Sequence, residues 1–494
     1  MAEKFMKQGD VIEMAVTYFP SFLRSRTQAE ILGAWMNGTQ YEYSEDNLDP
    51  DDPAYGRPFS PRREVNAEYE NLRGLSPNNF GGLITTTVAQ LAHLEGISRP
   101  GITGVLPVYQ TFLRNRWGSK QGAVHRGAVG QSVAYGVVTP GVDPLTGSKM
   151  SKMLGKSATR MAAFYDDDDD EWPVLAIEAE RTVIKDTDSG IVLRGTGGTN
   201  GWIVKVWDVY VTHRLQCEGD GTEAKQWKYL DHERHGMPVP PVARCANRMD
   251  LDGRTRGEIE PVLPLLRRID QDTFDRLINQ RFGAWQVRYI AGMAKPDSKS
   301  EQAAQALKLR VEDLLVSTSD KTKFGTLDAG PLGPQIEATD ADLRLLSAVT
   351  QLPPYHLLGL SSNLQAEALA AAKEGLLHKA FAFRQYAGEF HEQMARLVAM
   401  SEGDFVTAAA WDLRVRWKDV ESMSMSQAAD ALGKLAAQLG VPLEMLWERI
   451  PGWEDTDVER AKELVESGSL DALLQELLGN TEPPAEESAG GNAQ

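Results

Sequence analysis

LPPYHLLGLSSNLQAEALAAAKEGLLHKAFAFRQYAGEFHEQMARLVAM, residues 352–400, is the stretch whose reading decides this chain. It starts as a segment broken by Pro353 and Pro354 and loosened by Gly359, Ser361, Ser362 and Asn363. From residue 366 to 400 only Gly375 and Gly388 weaken a helix, and both are tolerable;. Leu376, Ala380, Phe383, Ala387, Phe390, Met394 and Leu397 recur at intervals of four and three, a helical seam held over several turns;. At about 1.5 Å per residue the helix spans roughly 50 Å. Helices of that length in soluble proteins usually belong to coiled coils, repeats or large assemblies. A polar loop at its head is a mobile element on a rigid lever.

Working outward, 494 residues exceed a single core and imply more than one domain;. Composition is that of a globular protein, 42% hydrophobic and 25% charged;. Two cysteines far apart in sequence, Cys217 and Cys245, make no disulfide framework and point to a reducing compartment;. Acids interrupt the N-terminal apolar stretch, so no signal peptide is expected, and no run reaches membrane-span length;. The protein is expected to be made in the cytosol. A formal net charge of −18 argues against a basic surface that grips nucleic acid;.

Residues 1–60 read as short helical patterns followed by the Pro/Asp-rich EDNLDPDDPAYGRPFSP. Residues 64–98 read as two helices, EVNAEYENL and residues 80–94, split by Ser76, Pro77, Asn78 and Asn79. Residues 122–245 hold short β-type runs, VAYGVV, WPVLAIEAE, SGIVLRG, WIVKVWDVYVTHRL and KQWKYLDH, parted by turn clusters, and predict an antiparallel β region;. A helix follows from Gly257, carrying Arg267, Arg268, Arg276 and Arg281. Residues 286–334 are mixed: a strand-like QVRYIAGM, a helix around 301–307, and a turn-rich KTKFGTLDAGPLGP. Residues 340–351 form another helix, 426–474 two or three short ones, and the tail TEPPAEESAGGNAQ is disordered by composition;.

Local motifs offer little chemistry. Residues 195–201, GTGGTNG, lack the Lys-Ser/Thr of a phosphate loop and sit between β-runs, so they read as a hairpin turn;. In His232-Glu233-Arg234-His235 the histidines are one residue too close for a zinc helix;. Asp250-Leu251-Asp252-Gly253 lacks the remainder of a calcium loop, and residues 166–170 are five aspartates most simply solvated;. Trp411 and Trp417 alternate with apolar residues and read as core-facing strand positions rather than a base-stacking platform;. No Ser-His-Asp or Cys-His arrangement stands out, so no enzyme, cofactor or metal is expected.

The ordered set of three segments carries a resemblance. HERHGMPVPPVARCANRMDLDGRTRGEIEPVLPLL, then LPPYHLLGLSSNLQAEALAAAKEGL, then VRWKDVESMSMSQAADALGKLAAQLGVPLEMLWERIPGWEDTDVERAKE resembles portal proteins of tailed bacteriophages, nearest to those of siphophages of actinobacteria. The resemblance covers roughly residues 64–475. It implies an α+β portal fold with a β-rich wing, two-helix stem, small α/β clip, long wing helix and helical crown. The implied boundaries are 1–256 for N-terminal helices and wing, 257–285 first stem helix, 286–334 clip, 335–351 second stem helix, 352–365 tunnel loop, 366–425 long helix and end of wing, 426–475 crown and 476–494 acidic tail. It also implies a ring, usually dodecameric, at one capsid vertex in the virion, assembled in the host cytoplasm. Double-stranded DNA passes through the ring without sequence specificity. The implied partners are the large terminase, the major capsid protein and scaffold, and a head-completion protein; no membrane is involved.

On this reading Leu358, Gly359, Leu360, Ser361, Ser362, Asn363 and Gln365 form the tunnel loop. Lys373 and Lys379 are either basic rings in the lumen or a solvated helix face. Arg267, Arg268, Arg276 and Arg281 are expected to pair between subunits. A different virion or capsid-assembly protein is the alternative; a nucleotide-dependent enzyme is disfavoured by the missing phosphate-loop motif.

Overall fold

The computed structural model describes residues 6–41, 67–102, 104–143, 145–166, 171–184, 199–284, 287–291, 323–327, 331–359, 366–419, 425–447, 449–450, 453 and 455–466. The chain divides into two units, Met1–Lys418 and Asp419–Gln494.

The first unit begins with α1 (Gln8–Asn37), one helix of 30 residues where short helical patterns were expected. It runs through Pro20, which forfeits a hydrogen bond at a cost of about 3 kcal/mol;. Phe19 and Phe22 flank that proline and are wholly buried, contributing about 1.5–3 kcal/mol each, enough to carry the helix through;. After α2 (Ala67–Gly74) comes α3 (Phe80–Gln90), whose first turn is capped by the Asn79 side chain accepting from Gly82 N–H;. The helix expected over 80–94 therefore ends at Gln90. Leu94–Ser98 is instead strand β1, because the buried Gln121 amide takes both the N–H and the carbonyl of Leu94 and holds it extended. Helices α4 (Tyr109–Arg114) and α5 (Trp117–Gln131) follow, so the first ten residues of the expected β region are helical.

The β region itself comprises β2 (Val133–Thr139), β3 (Lys152–Ser157), β4 (Met161–Phe164), β5 (Leu175–Ile184), β6 (Thr199–Trp207), β7 (Val211–Glu218), β8 (Trp227–Arg234) and β9 (Val242–Ala246). They form an antiparallel three-stranded sheet, β3-β2-β9, and an antiparallel five-stranded sheet, β4-β5-β6-β7-β8. Thr199, Asn200 and Gly201, the end of GTGGTNG, open strand β6 and pair with Ile184, Val183 and Thr182, while residues 195–198 lie outside the described residues. His232 and Glu233 lie on β8, a strand rather than a zinc-binding helix.

The remaining elements are α6 (Leu263–Ala284), β10 (Val287–Ala291), β11 (Lys323–Leu327), α7 (Gly333–Thr350), α8 (Pro354–Leu358), α9 (Ala366–Glu402), α10 (Phe405–Ala408) and β12 (Arg414–Trp417). The second unit holds α11 (Met425–Leu439), α12 (Leu443–Trp447) and α13 (Asp455–Glu466). Strands β10 and β11 pair antiparallel, so part of the stretch read as turn-rich is a strand. Helix α7 starts well before residue 340, with a proline in its first turn, where a missing N–H does no harm;. Strand β12 pairs with β1 and packs Trp417 on the core, whereas Trp411 is 82% exposed and is no core residue. The helix expected around 301–307, residues 167–170 and the acidic tail lie outside the described residues.

The fold is α+β, with helix and sheet sharing one main core. All seven seam residues of α9 are buried, from Leu376 to Leu397, and all but Ala380 belong to this core. Strand β2 passes directly beneath: a Cβ on Gly136 would sit 2.5 Å from Met394 Sδ. The long helix is thus packed within its own subunit rather than wound into a coiled coil. No helix among the described residues is long and apolar enough to cross a membrane.

Asp270 ties helix α6 to the segments after α1 and before α3. Asp270, 1% exposed, accepts from Gln40 Nε2 and the Tyr41 hydroxyl at 2.9 Å each, and from the Asn78 backbone N–H at 2.9 Å. Burial pushes its carboxyl above the usual range and these donors only partly offset that;. Replacing Asp270 with Ala is expected to orphan the donors and lower stability by about 2 kcal/mol, read from urea unfolding.

Candidate functional site at the head of the long helix

Helix α7 ends where the chain must turn back to feed α9. Gln351 adopts a left-handed conformation, φ 58°, at a strain tolerated because its surroundings are pinned;. The Ser347 hydroxyl donates to Leu352 O at 2.7 Å, and Leu352 is buried. One turn of helix, α8, follows, and Gly359 terminates it at φ 64°, where only glycine is free of strain;. Leu358 and Gly359 are the described part of the expected tunnel loop; residues 360–365 lie outside the described residues.

The end of α7 is held to α9 by a buried ionic clamp. Glu258, in the lead-in to α6, has a side chain 3% exposed. The Lys379 ammonium, from α9, donates to Glu258 Oε2 at 2.6 Å and to Thr350 O, at the end of α7, at 2.5 Å. Asn247 Nδ2, just past β9, donates to Glu258 Oε1 at 3.0 Å, and Arg248 approaches the same oxygen at 3.2 Å. The Glu258 backbone N–H donates to Val129 O in α5. Burial pushes the carboxyl up, but Lys379, Asn247 and Arg248 more than offset it and hold it below its ordinary range;. The Glu258 carboxylate thus joins α9 to the segment after β9, its backbone N–H reaches α5, and the Lys379 ammonium carries the link on to the end of α7.

Four expectations can be placed against this geometry. Lys379 is not a solvent-facing cation: its side chain is 10% exposed and both its bonds point inward. The sequence pattern put it beside the α9 seam but could not show that Glu258 requires a counterion. Lys373 is exposed, and His356, held below its usual pKa by burial, also feels the Lys373 charge. Arg268 donates in a fork to both oxygens of Asp342 on α7, at 2.5 Å each, so this pair is internal to the chain rather than between subunits. Arg267 and Arg276 are half-buried and Arg281 is exposed. Glu258 and Asn247 were missed as anchors, although both sit in the ordered motif NRMDLDGRTRGEI.

None of these side chains is arranged as a nucleophile with a base. The geometry is that of a platform: a long packed helix, a buried clamp and a short helix ended by Gly359. Among family models, the phage portal proteins of the SPP1 Gp6-like type match residues 66–468. The chain belongs to this family. Of solved structures, this portal protein is similar to a chain in the neck of a native GTA particle computed with C12 symmetry, at 12% identity and a TM-score of 0.42, over 74% of this chain and 87% of that one. No curated protein matches it.

Proposed function

We propose that this portal protein closes into a ring, dodecameric on the family expectation, which sits at one capsid vertex as the channel for genome packaging, retention and ejection. It performs no chemistry of its own. In this reading α6 and α7 are the stem, β10 and β11 belong to the clip that docks the terminase and later a head-completion protein, and the β sheets form the wing toward capsid protein and scaffold. Residues 358–365 touch the DNA as it slides. The observation that carries the reading is the family match spanning nearly every element from α2 to α13.

Two further features support it. The exposed face of α7 presents Ala338, Ala341, Leu345 and Ala348 at intervals of three and four, a seam suited to a neighbouring helix;. A net charge of −18 repels phosphate, so DNA moves past without being gripped;. Lys373 remains the candidate for a local basic ring in the lumen, and Arg267, Arg276 and Arg281 for contacts around the stem.

Purified protein is expected to give closed rings with a central hole in negative-stain images and mass photometry. A stable monomer at high concentration, or an open sheet, would overturn the reading. Removing residues 359–363 should leave rings intact and abolish DNA packaging or retention, whereas normal packaging would rule out contact with the DNA.

A further inference from the structure

Arg244 is a cation without an anion. It lies on β9 directly opposite Tyr135 on β2, so the two side chains share one sheet face;. The residue is half-buried, its guanidinium lies over the Tyr165 ring at 4.0 Å from the centroid, and it donates to Met249 Sδ at 3.3 Å. Among the described residues no carboxylate pairs with it, although Arg248 and Arg254 on the following loop hold Glu258 and Glu260. Glu171, Glu389 and Glu392 line a separate cleft that Arg244 also borders, none of them at ion-pair distance, and Glu171 is taken by Arg396. Arginine keeps its proton in proteins, so a partly desolvated charge is left without a counterion.

On its other side Arg244 lines a cavity of about 260 Å³, shared with Arg254, Ser25, Ser132 and Thr255. Among the described residues no aspartate or glutamate lines this cavity, in a chain of net charge −18. Thr255 Oγ1 donates to Ser132 Oγ across a long 3.4 Å, and the Ser132 hydroxyl proton has no acceptor among the described residues. Ser132 is also held at φ 74°, a strain that a residue other than glycine carries only where its surroundings impose it;. Arg254 reaches Glu260 at 3.2 Å with a side chain 59% exposed, a weak pair that leaves its other donors free;.

We propose that this cavity binds a tetrahedral oxyanion, inorganic phosphate or a terminal phosphate group, held by Arg244 with Arg254, Ser132 and Thr255. Guanidinium forks match phosphate oxygens, and phosphate offers more acceptor oxygens than a planar carboxylate. The donors converge from β9, from the residue before β2 and from the loop before α6, as a ligand with oxygens on several sides requires. The site does not depend on ring formation, so it stands or falls apart from the function proposed above.

Isothermal titration calorimetry of the full chain with sodium phosphate, at fixed ionic strength and without other oxyanions, tests this. Saturable binding is expected, with a dissociation constant of roughly 1 mM or below. Arg244→Met should weaken it by at least about tenfold through loss of charge-assisted donors. The same variant should not lower the urea midpoint without phosphate, because it removes an unbalanced charge. Ser132→Gly relieves the strained backbone, so the fold is retained, and should weaken binding by roughly two- to tenfold. A dinucleotide with a 5′-phosphate that binds more tightly than free phosphate, and than its unphosphorylated form, would identify a terminal nucleotide phosphate as the ligand. If it binds no better than free phosphate, the inorganic ion is the ligand. No saturation by about 20 mM phosphate, or equal binding by Arg244→Met, overturns the proposal.

Discussion

Lys379→Ala should lower the unfolding free energy by about 3–5 kcal/mol, the range for removing one partner of a buried pair. The size follows from burial. An exposed lysine in an ion pair contributes less than about 1 kcal/mol, because water and salt screen it. Here the two side chains are 3% and 10% exposed, so the substitution strands Glu258 and leaves Thr350 O without its ammonium donor. Arg248 is half-exposed at 52% and cannot replace it from its position at the rim. Urea unfolding of the unassembled protein measures the loss directly. A double substitution, Lys379→Met with Glu258→Gln, should recover part of it, since no uncompensated charge remains. A loss below about 1 kcal/mol would mean the clamp is solvated and does not tie α9 to the end of α7. The Glu258 pKa is depressed, so its contribution is present above the unfolded value near 4.5 and is lost as pH falls below it;.

The second large effect is acid lability in the main core. His125 Nδ1 lies 2.8 Å from Ala92 O, which can only accept, so that nitrogen carries the proton;. In the neutral ring Nε2 is then an acceptor, and His391 Nε2–H donates to it across 3.0 Å. His391 Nδ1 is left as a buried acceptor without a partner among the described residues. Both rings are wholly buried, enclosed by Trp117, Phe383, Phe390 and Trp417, with His93 the nearby titratable group. A third proton, on His391 Nδ1 or His125 Nε2, would place a charge in this cage;. Burial takes His125 down to about 4 and His391 well below its ordinary value. Because the folded values are depressed, the stability they contribute is fully present above about pH 6.5 and is lost as pH falls toward 4;. For His125 alone the shift corresponds to roughly 3 kcal/mol. Wild-type stability should therefore drop steeply between pH 6 and pH 4 (about those limits, set by the unfolded and folded values);. In His125→Phe with His391→Phe that part of the curve should flatten. An unchanged slope in the double variant would show that other groups govern acid unfolding.

Which parts of this were legible beforehand follows from range. The α9 seam was readable because every residue in it answers to the same local period, and burial then follows that period from Leu376 to Leu397. The strands of the β region were readable for the same reason, as alternation parted by turns. The α1 helix was not, because a proline at position 20 is a local stop signal overridden by Phe19 and Phe22 packing on distant strands. Leu94–Ser98 was misjudged because its partner, β12, lies more than 300 residues away;.

The site divides along the same line. The order of motifs, the polar loop and the long helix are properties of neighbouring residues, and they sufficed to indicate the portal family and its α+β fold. The fates of the charges did not follow from the chain order. Arg268 turns to Asp342, and Lys379 turns inward to Glu258, 121 residues away. A charged side chain on a helix stays in water unless a buried partner repays its desolvation, and the neighbouring sequence does not reveal that partner. That choice depends on whether a distant carboxylate is desolvated beside it, and only the packed structure brings the two together.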